Sequence, residues 1–345
     1  MPRARLPLLL LLALSASACR TAQPQQMAPS SSHEGIALPS TPNGVLQAGE
    51  ADKLLPISQE NALKQVVKLL DAGAQPRSDI SYTLATGRTE QLRMSFNMTR
   101  SLRHAEHTAP QLKLPSLEVL LDLTPLEQTG AEWKIKARLA HLDAKGDNTN
   151  GSLEDEKIEN EVDPDLAQMK GLSVSFVMSP KGYISQVEYA LPEDPDPEDE
   201  ATLHDLAETL WAEVTTPLPD EPIGIGATWQ VLTRTPGSGM DLLQSATYRL
   251  ESRNGDKVKV SMELEELVAN PEVTTEAMPE GYSATVKSFK SSETGTWNLD
   301  MRAITPEQGE ALQKTAVTFG EQGEGADAAD ELQVDTEVRI GLARP

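Results

Sequence analysis

The fold is decided by LPDEPIGIGATWQV, residues 218–231, where regular structure stops and then restarts. Proline lacks the backbone N–H that helices and inner strands need, and three prolines interrupt the chain here: Pro217, Pro219 and Pro222. Gly224 and Gly226 then free the backbone, and Trp229 begins an alternating apolar pattern. The stretch therefore predicts a boundary between two β units.

Apolar residues at every second position indicate strands on both sides of this boundary, because successive strand side chains point to opposite faces of a sheet. Before the boundary, the alternating runs are residues 92–98, 117–123, 133–139, 172–178 and 183–189; after it, they are 246–250, 258–264, 297–301, 311–319 and 332–340. Turn sequences separate several runs: SPKG at 179–182, RNGD at 253–256 and TPEQG at 305–309. We expect antiparallel meanders.

The two halves resemble each other along their length. LEVLLDLTPLEQTGAEWKIKARLAHLDA aligns with SATYRLESRNGDKVKVSMELEELVAN, and GLSVSFVMSPKGYISQVEY aligns with TGTWNLDMRAITPEQGEALQKTAV. Apolar residues at helical spacing predict two short helices, residues 58–72 and 198–214. The expected fold is mainly β (α+β): two related, curved, antiparallel β units with short packing helices, in a half-barrel-like arrangement.

The N-terminus has the pattern of a bacterial lipoprotein signal. Arg3 and Arg5 precede an apolar run at 6–14 that is too short to span a membrane, and small residues at 15–18 lead to Cys19. This pattern resembles the lipobox, in which cleavage before the cysteine is followed by acylation of its thiol. The alternative is an ordinary secretory signal in which the cysteine is incidental.

Composition divides the chain into four segments. The signal peptide covers residues 1–18, and a disordered tether rich in Gln, Pro, Ser, Ala and Gly covers 19–53. The first β unit with its helices covers 54–216, and the second covers 217–345. Arg20 stands where lipoproteins retained in the inner membrane carry aspartate. We therefore expect a lipid anchor in the outer membrane, with the protein facing the periplasm or the cell surface.

The chain is strongly acidic. It has 53 Asp+Glu against 30 Lys+Arg, a formal net charge of −23. Such a charge repels nucleic acid, and the single cysteine excludes an internal disulfide. No apolar run after the N-terminus has the length of a membrane-spanning helix. The expected membrane contact is therefore the N-terminal lipid.

Two kinds of polar cluster have residue types that can bind a metal ion. Two acidic inserts, residues 143–163 and 193–200, interrupt the first unit, and residues 143–154 match the length of an EF-hand loop but not its ligands or turn glycine. His104 and His107 are the one close histidine pair, and on a single strand they would point to opposite faces. We predict solvated polar segments, with no metal and no cofactor.

Catalytic motifs are missing from the sequence. The GSG triplet at 237–239 lacks the spacing of a hydrolase nucleophile elbow, and GIG at 224–226 completes neither a dinucleotide fingerprint nor a phosphate loop. Carboxylates are too numerous for sequence proximity to select an acid–base pair. The sequence predicts no catalytic residue and hence no enzyme; an unrecognised hydrolase is the alternative.

With this order of segments, the chain resembles uncharacterised lipoproteins of Gram-negative bacteria of the domain-of-unknown-function type. The resemblance covers residues 80–342 and is carried by SPKGYISQVEY and by LPDEPIGIGATW with the hairpin that follows it. It implies no known activity. By architecture alone, the chain is similar to half-barrel periplasmic carriers of lipoproteins and lipids.

Two non-catalytic functions fit these patterns. The first is a membrane-anchored lipoprotein with a structural or protein-interaction role. The second is a carrier for an apolar ligand such as a lipid acyl chain, because methionine adapts to irregular apolar surfaces. The candidate cavity residues share the apolar phase of their strands or of the second helix: Met94, Phe96, Met98, Phe176, Met178, Trp211, Met262 and Met301. In the alternative interpretation, the same residues form an ordinary core.

The lipobox generates the first testable prediction. Changing Cys19→Ser removes the thiol that would be acylated, so we expect the variant to incorporate no labelled fatty acid and to leave the membrane fraction. Metabolic labelling and fractionation of cells measure both effects. Continued lipidation of the variant would show that the lipobox assignment is wrong.

Overall fold

A computed structural model describes residues 35–56, 65–104, 107–145, 169, 171–190, 214–237, 240–273, 284–321 and 331–345. In chain order, the elements are α1 (Glu50–Leu54), β1 (Gln65–Asp71), β2 (Glu90–His104), β3 (His107–Thr108), β4 (Leu112–Lys113), β5 (Ser116–Thr129), β6 (Glu132–Lys145), β7 (Ser173–Met178), β8 (Ile184–Ala190), β9 (Thr228–Gly237), β10 (Met240–Asn254), β11 (Lys257–Asn270), β12 (Glu272–Val273), β13 (Ala284–Asp300), β14 (Gln308–Glu321) and β15 (Leu332–Ala343). The mainly-β prediction is confirmed.

All these strands belong to one open antiparallel sheet. Its order is β1-β9-β10-β11-β13-β14-β15-β2-β5-β6-β7-β8, with β3 and β4 beside β2 and β12 beside β13. We expected a sheet in each unit, but the strands of the second unit lie between β1 and β2 of the first. Below, the face that carries Leu92, Trp133 and Trp229 is called the core face, and the opposite face is called the outer face.

The predicted turns lie between paired strands. Asn254 and Lys257 pair across a two-residue loop, and Gly255 has a φ of 62° there. Gly182, with a φ of 79°, donates its backbone N–H to the carbonyl of Ser179 at the turn from β7 to β8. The aligned segments also occupy equivalent places in the sheet, because β10-β11-β13-β14 and β5-β6-β7-β8 follow each other across it in the same direction. This topology is consistent with a diverged duplication.

The helix predicted for residues 58–72 is wrong over Gln65–Asp71, which forms β1; residues 57–64 lie outside the described part. Val67 pairs with Val231 and packs on the core face, whereas Val66 pairs with Leu232 and packs on the outer face. A strand covered on both faces has no alternating pattern, so its apolar run has the appearance of a buried helix segment.

Part of the predicted tether is also ordered. The backbone of residues 43–46 runs between β11 and β13: the Phe289 N–H donates to the Asn43 carbonyl, and the Leu46 N–H donates to the Val268 carbonyl. Leu46 and helix α1 then pack on the outer face of β9–β11. The disorder expected for residues 19–53 therefore does not extend through 35–53.

The stretch at residues 218–231 contacts the rest of the sheet mainly through its backbone. Ile223 and Ser78 exchange two N–H to carbonyl hydrogen bonds of 3.1 Å, and the Gly224 N–H donates to the Ala72 carbonyl at 2.9 Å. Trp229 then starts β9 with its ring buried; its Nε1 donates to the Pro217 carbonyl at 2.8 Å.

Several other predictions fall outside the described residues. These are the signal peptide at 1–18 with Cys19, most of the acidic inserts, and the helix at 198–214 up to residue 213. Met301, expected on a strand, lies just after β13 and is buried. Among the described residues, no helix has the length and apolarity needed to cross a bilayer.

Gly224 generates a stability prediction. A Cβ on Gly224 would lie 1.8 Å from the backbone oxygen of Ala74, so two backbone segments would have to separate. We expect Gly224→Ala to lower the free energy of unfolding by about 2 kcal/mol or more. Gly255→Ala is the control: its Cβ meets nothing within 4 Å, and only the positive φ of 62° costs about 1 kcal/mol. Urea unfolding measures both; equal losses would contradict the close-approach explanation.

Candidate functional site

The predicted cavity residues lie together, but in a packed cluster. Seven of them are described, and each is 0 to 6% exposed within one cluster of buried apolar residues: Met94, Phe96, Met98, Phe176, Met178, Met262 and Met301. Trp211 lies outside the described residues. The burial of these side chains against other apolar residues favours the interpretation that they are core.

A row of polar side chains crosses the core face above this cluster. We call it the polar belt and define it by residues on five neighbouring strands, β10, β11, β13, β14 and β15: Gln244, Glu266, Ser291, Glu293, Gln313, Thr315 and Thr336. On β11, Glu266 lies between Leu264 of the main cluster and Val268 of a second apolar cluster. The belt therefore separates two apolar regions of the same face.

Glu266 is the centre of the belt's hydrogen bonds. Its carboxylate accepts hydrogen bonds from the Ser291 hydroxyl, from Gln244 Nε2 at 2.8 Å and from Gln313 Nε2 at 3.2 Å. Burial raises the pKa of Glu266, and the three donors oppose that rise. Moving a carboxylate out of water into the protein interior is unfavourable, so the three hydrogen-bond donors are needed to keep Glu266 on this face.

The outer face of nearly the same strands carries an open polar groove of about 530 Å³. We call it the outer groove; it crosses β13, β14, β15 and β2. Residues that alternate with the core-face positions contribute much of its lining: Thr99, Ser101, Lys290, Ser292, Lys314 and Glu337. Three belt residues also border it: Ser291, Thr315 and Thr336. Gln111, from the loop before β4, also reaches it.

Charges of both signs lie along the outer groove. Lys314 Nζ is 3.1 Å from a carboxylate oxygen of Glu337, which also accepts a hydrogen bond of 2.9 Å from Arg339. These two cations, Arg339 first, lower the pKa of Glu337. The Lys314 side chain remains 60% exposed, so its ammonium can bind another acceptor. The groove therefore offers hydroxyl, ammonium and carboxylate groups to a polar partner.

The histidine pair has a different geometry from the one expected. His104 and His107 lie opposite each other across β2 and β3, so they share a face of the sheet, and both are exposed. Within the described residues, no three metal-ligating side chains come together.

Neither the belt nor the groove is predicted from the sequence. The belt does leave a signal, because a polar residue interrupts the apolar phase of each strand: Glu266 between Leu264 and Val268, and Thr336 between Val334 and Val338. Such interruptions mean little on one strand, and they become a site only when register brings them side by side. The outer groove leaves no comparable signal, since the outward phase of β2, β13, β14 and β15 is mostly polar along its whole length.

No family model matches the chain, and no curated protein matches it significantly.

The belt generates a pH prediction. The pKa of Glu266 is raised in the folded state, so the folded protein holds the Glu266 proton more tightly than the unfolded chain does. This difference stabilises the fold fully at pH values below the ordinary glutamate pKa of about 4.3. The stabilisation is lost as the pH rises through the raised pKa of the folded state. We expect the free energy of unfolding of the wild type to fall as the pH rises from there, and Glu266→Gln to flatten that fall. Urea unfolding at a series of pH values measures it.

Glu265→Gln is the matched control, because Glu265 is exposed on the outer face of the same strand. It should keep the wild-type dependence on pH. If Glu266→Gln keeps that dependence as well, burial does not control the titration of Glu266.

Proposed function

We propose that this protein is a lipid-anchored envelope protein with a non-catalytic, protein-interaction role, and that its partner binds in the outer groove. The observation that carries the proposal is the series of hydroxyl and charged side chains along the groove. Ligand pockets for small molecules are concave and mostly apolar. This groove is open and is bordered mainly by serine, threonine, lysine and acidic residues, although carbon atoms form the larger part of its exposed lining. Such a lining suits the polar surface of a polypeptide.

The character of the partner is set by the groove's charges. Lys290 and Lys314 lie on one side, and Asp335 and Glu337 lie on β15 beside them. A segment with both acidic and basic side chains is complementary to this pattern, and complementarity of charge selects partners and accelerates their association. The net charge of −23 repels other acidic surfaces and so adds to the selectivity.

Anchoring supports the same role. A lipid on Cys19 would hold the protein at the outer membrane and restrict it to partners in the same layer, which raises their effective concentration. A moderate affinity at the groove is then sufficient.

Site-specific photo-crosslinking in cells tests this proposal. A photoreactive amino acid at Ser292 or Ser101 lies in the groove, so we expect one defined protein adduct at both positions. Lys259 is the control position, because it is exposed on the outer face of β11 away from the groove lining. The adduct should decrease when Lys314→Glu reverses the charge of the groove, and Cys19→Ser should reduce it by releasing the protein from the membrane.

The same adduct from Lys259, or none from either groove position, would contradict binding in the groove. Lys290→Gln is a milder companion to Lys314→Glu, since it removes one charge without adding another. Both lysines are on the outward phase, so neither substitution disturbs the core. The melting temperature of each variant checks that the fold is intact.

A further inference from the structure

Among the described residues, Arg100 has a buried Nε without a hydrogen-bond partner, and it lies at the end of the polar belt. Arg100 follows Met98 on the core-face phase of β2, and it pairs with Thr336 of β15 on one side and with Leu112 of β4 on the other. Its nearest acidic neighbours on β15, Asp335 and Glu337, alternate with Thr336 and therefore point to the outer face.

Arg100 and Thr336 each have a buried polar atom without a hydrogen-bond partner. Arg100 Nε is buried without a hydrogen-bond partner, and so is the hydroxyl of Thr336, a residue that is 5% exposed. Burial lowers the pKa of Arg100, and no carboxylate among the described residues offsets that effect. A buried donor of this kind is normally satisfied in a folded protein, so the pair is arranged for an acceptor that the described residues do not supply.

Exposed leucines surround this pair. Of the five large apolar side chains that are exposed in the described part of the chain, three lie at this end of the core face: Leu102 at 37%, Leu112 at 43% and Leu332 at 36%. Leu102 is two residues beyond Arg100 on the same phase, and Leu112 lies directly opposite Arg100. An apolar rim around a half-buried cation matches a molecule with an apolar chain and an anionic head.

We propose that Arg100 and Thr336 bind the carboxylate of a single-chain fatty acid, whose hydrocarbon chain lies on Leu102, Leu112 and Leu332. The Nε and a terminal nitrogen of a guanidinium present two parallel N–H groups that match the two oxygens of a carboxylate. The Thr336 hydroxyl donates a further hydrogen bond. One cation on a chain of charge −23 suits a monovalent head better than a multiply charged phosphate. Thr336 also borders the outer groove, but Arg100 and the three leucines do not line it, so this site does not rest on that proposal.

The experiment uses the intact, anchored protein in phosphatidylcholine nanodiscs and a fatty acid with a diazirine at its methyl end. After irradiation, mass spectrometry locates the labelled peptides. We expect saturable labelling of peptides that contain Leu112 or Leu332, competed by the unlabelled fatty acid of equal length but not by the corresponding fatty alcohol. An alkyl phosphate that competes as well as the carboxylate would overturn the assignment of the head group.

Arg100→Gln should weaken this labelling by about tenfold or more, because it removes a charge-assisted pair of hydrogen bonds. Arg103→Gln is the matched control: it makes the same change near the same end of β2, on the exposed outward phase, and should leave labelling unchanged. Thr336→Val keeps the side-chain shape and should weaken labelling several-fold, so the test holds even if Arg100→Gln does not fold. Equal labelling of the wild type and a folded Arg100→Gln variant, or no saturable labelling of the wild type, would refute the site.

Discussion

The sheet depends on a close backbone contact between two short segments, residues 72–78 and 223–225. Ile223 exchanges hydrogen bonds with Ser78, and Gly224 lies so close to Ala74 that no side chain fits between them. Side chains from two turns also stabilise this contact: Lys181 forms an ion pair of 2.6 Å with Asp79, and Arg253 donates to the Ser78 hydroxyl. This contact joins the strand β1, the β7–β8 turn and the β10–β11 hairpin, which are far apart in the chain.

The polar belt constrains the same sheet in another way. Strand side chains alternate between faces, so a shift of one residue in register would move Glu266 to the outer face and its apolar neighbours with it. The hydrogen bonds from Gln244, Ser291 and Gln313 to Glu266 join four strands, and they form in only one register. A purely apolar face would tolerate more arrangements. The belt therefore contributes specificity even though the burial of Glu266 itself is unfavourable.

How much of the fold can be predicted from the sequence depends on whether a strand is covered on one face or on both. Strands with one wet face, such as β6 and β15, are evident from alternation, and the Asn254-Gly255 turn is evident from its residues. β1 is not, because Val66 and Val67 are covered on opposite faces and no alternation remains. Residues 43–46 have the composition of a tether, and their place between β11 and β13 depends on a gap that only the folded sheet contains.

The candidate sites cannot be predicted from the sequence for a related reason. Each combines a few residues from each of three to five strands. β2 and β15 are separated by most of the chain, although they pair along Arg93–His104 and Leu332–Ala343. That pairing brings the first unit to the second. It places Thr99 and Ser101 beside Asp335 and Glu337 on the outer face, and Arg100 beside Thr336 on the core face. Each face is completed only when the C-terminal strand pairs with β2, so neither site can exist in a separate unit, and both depend on the single sheet.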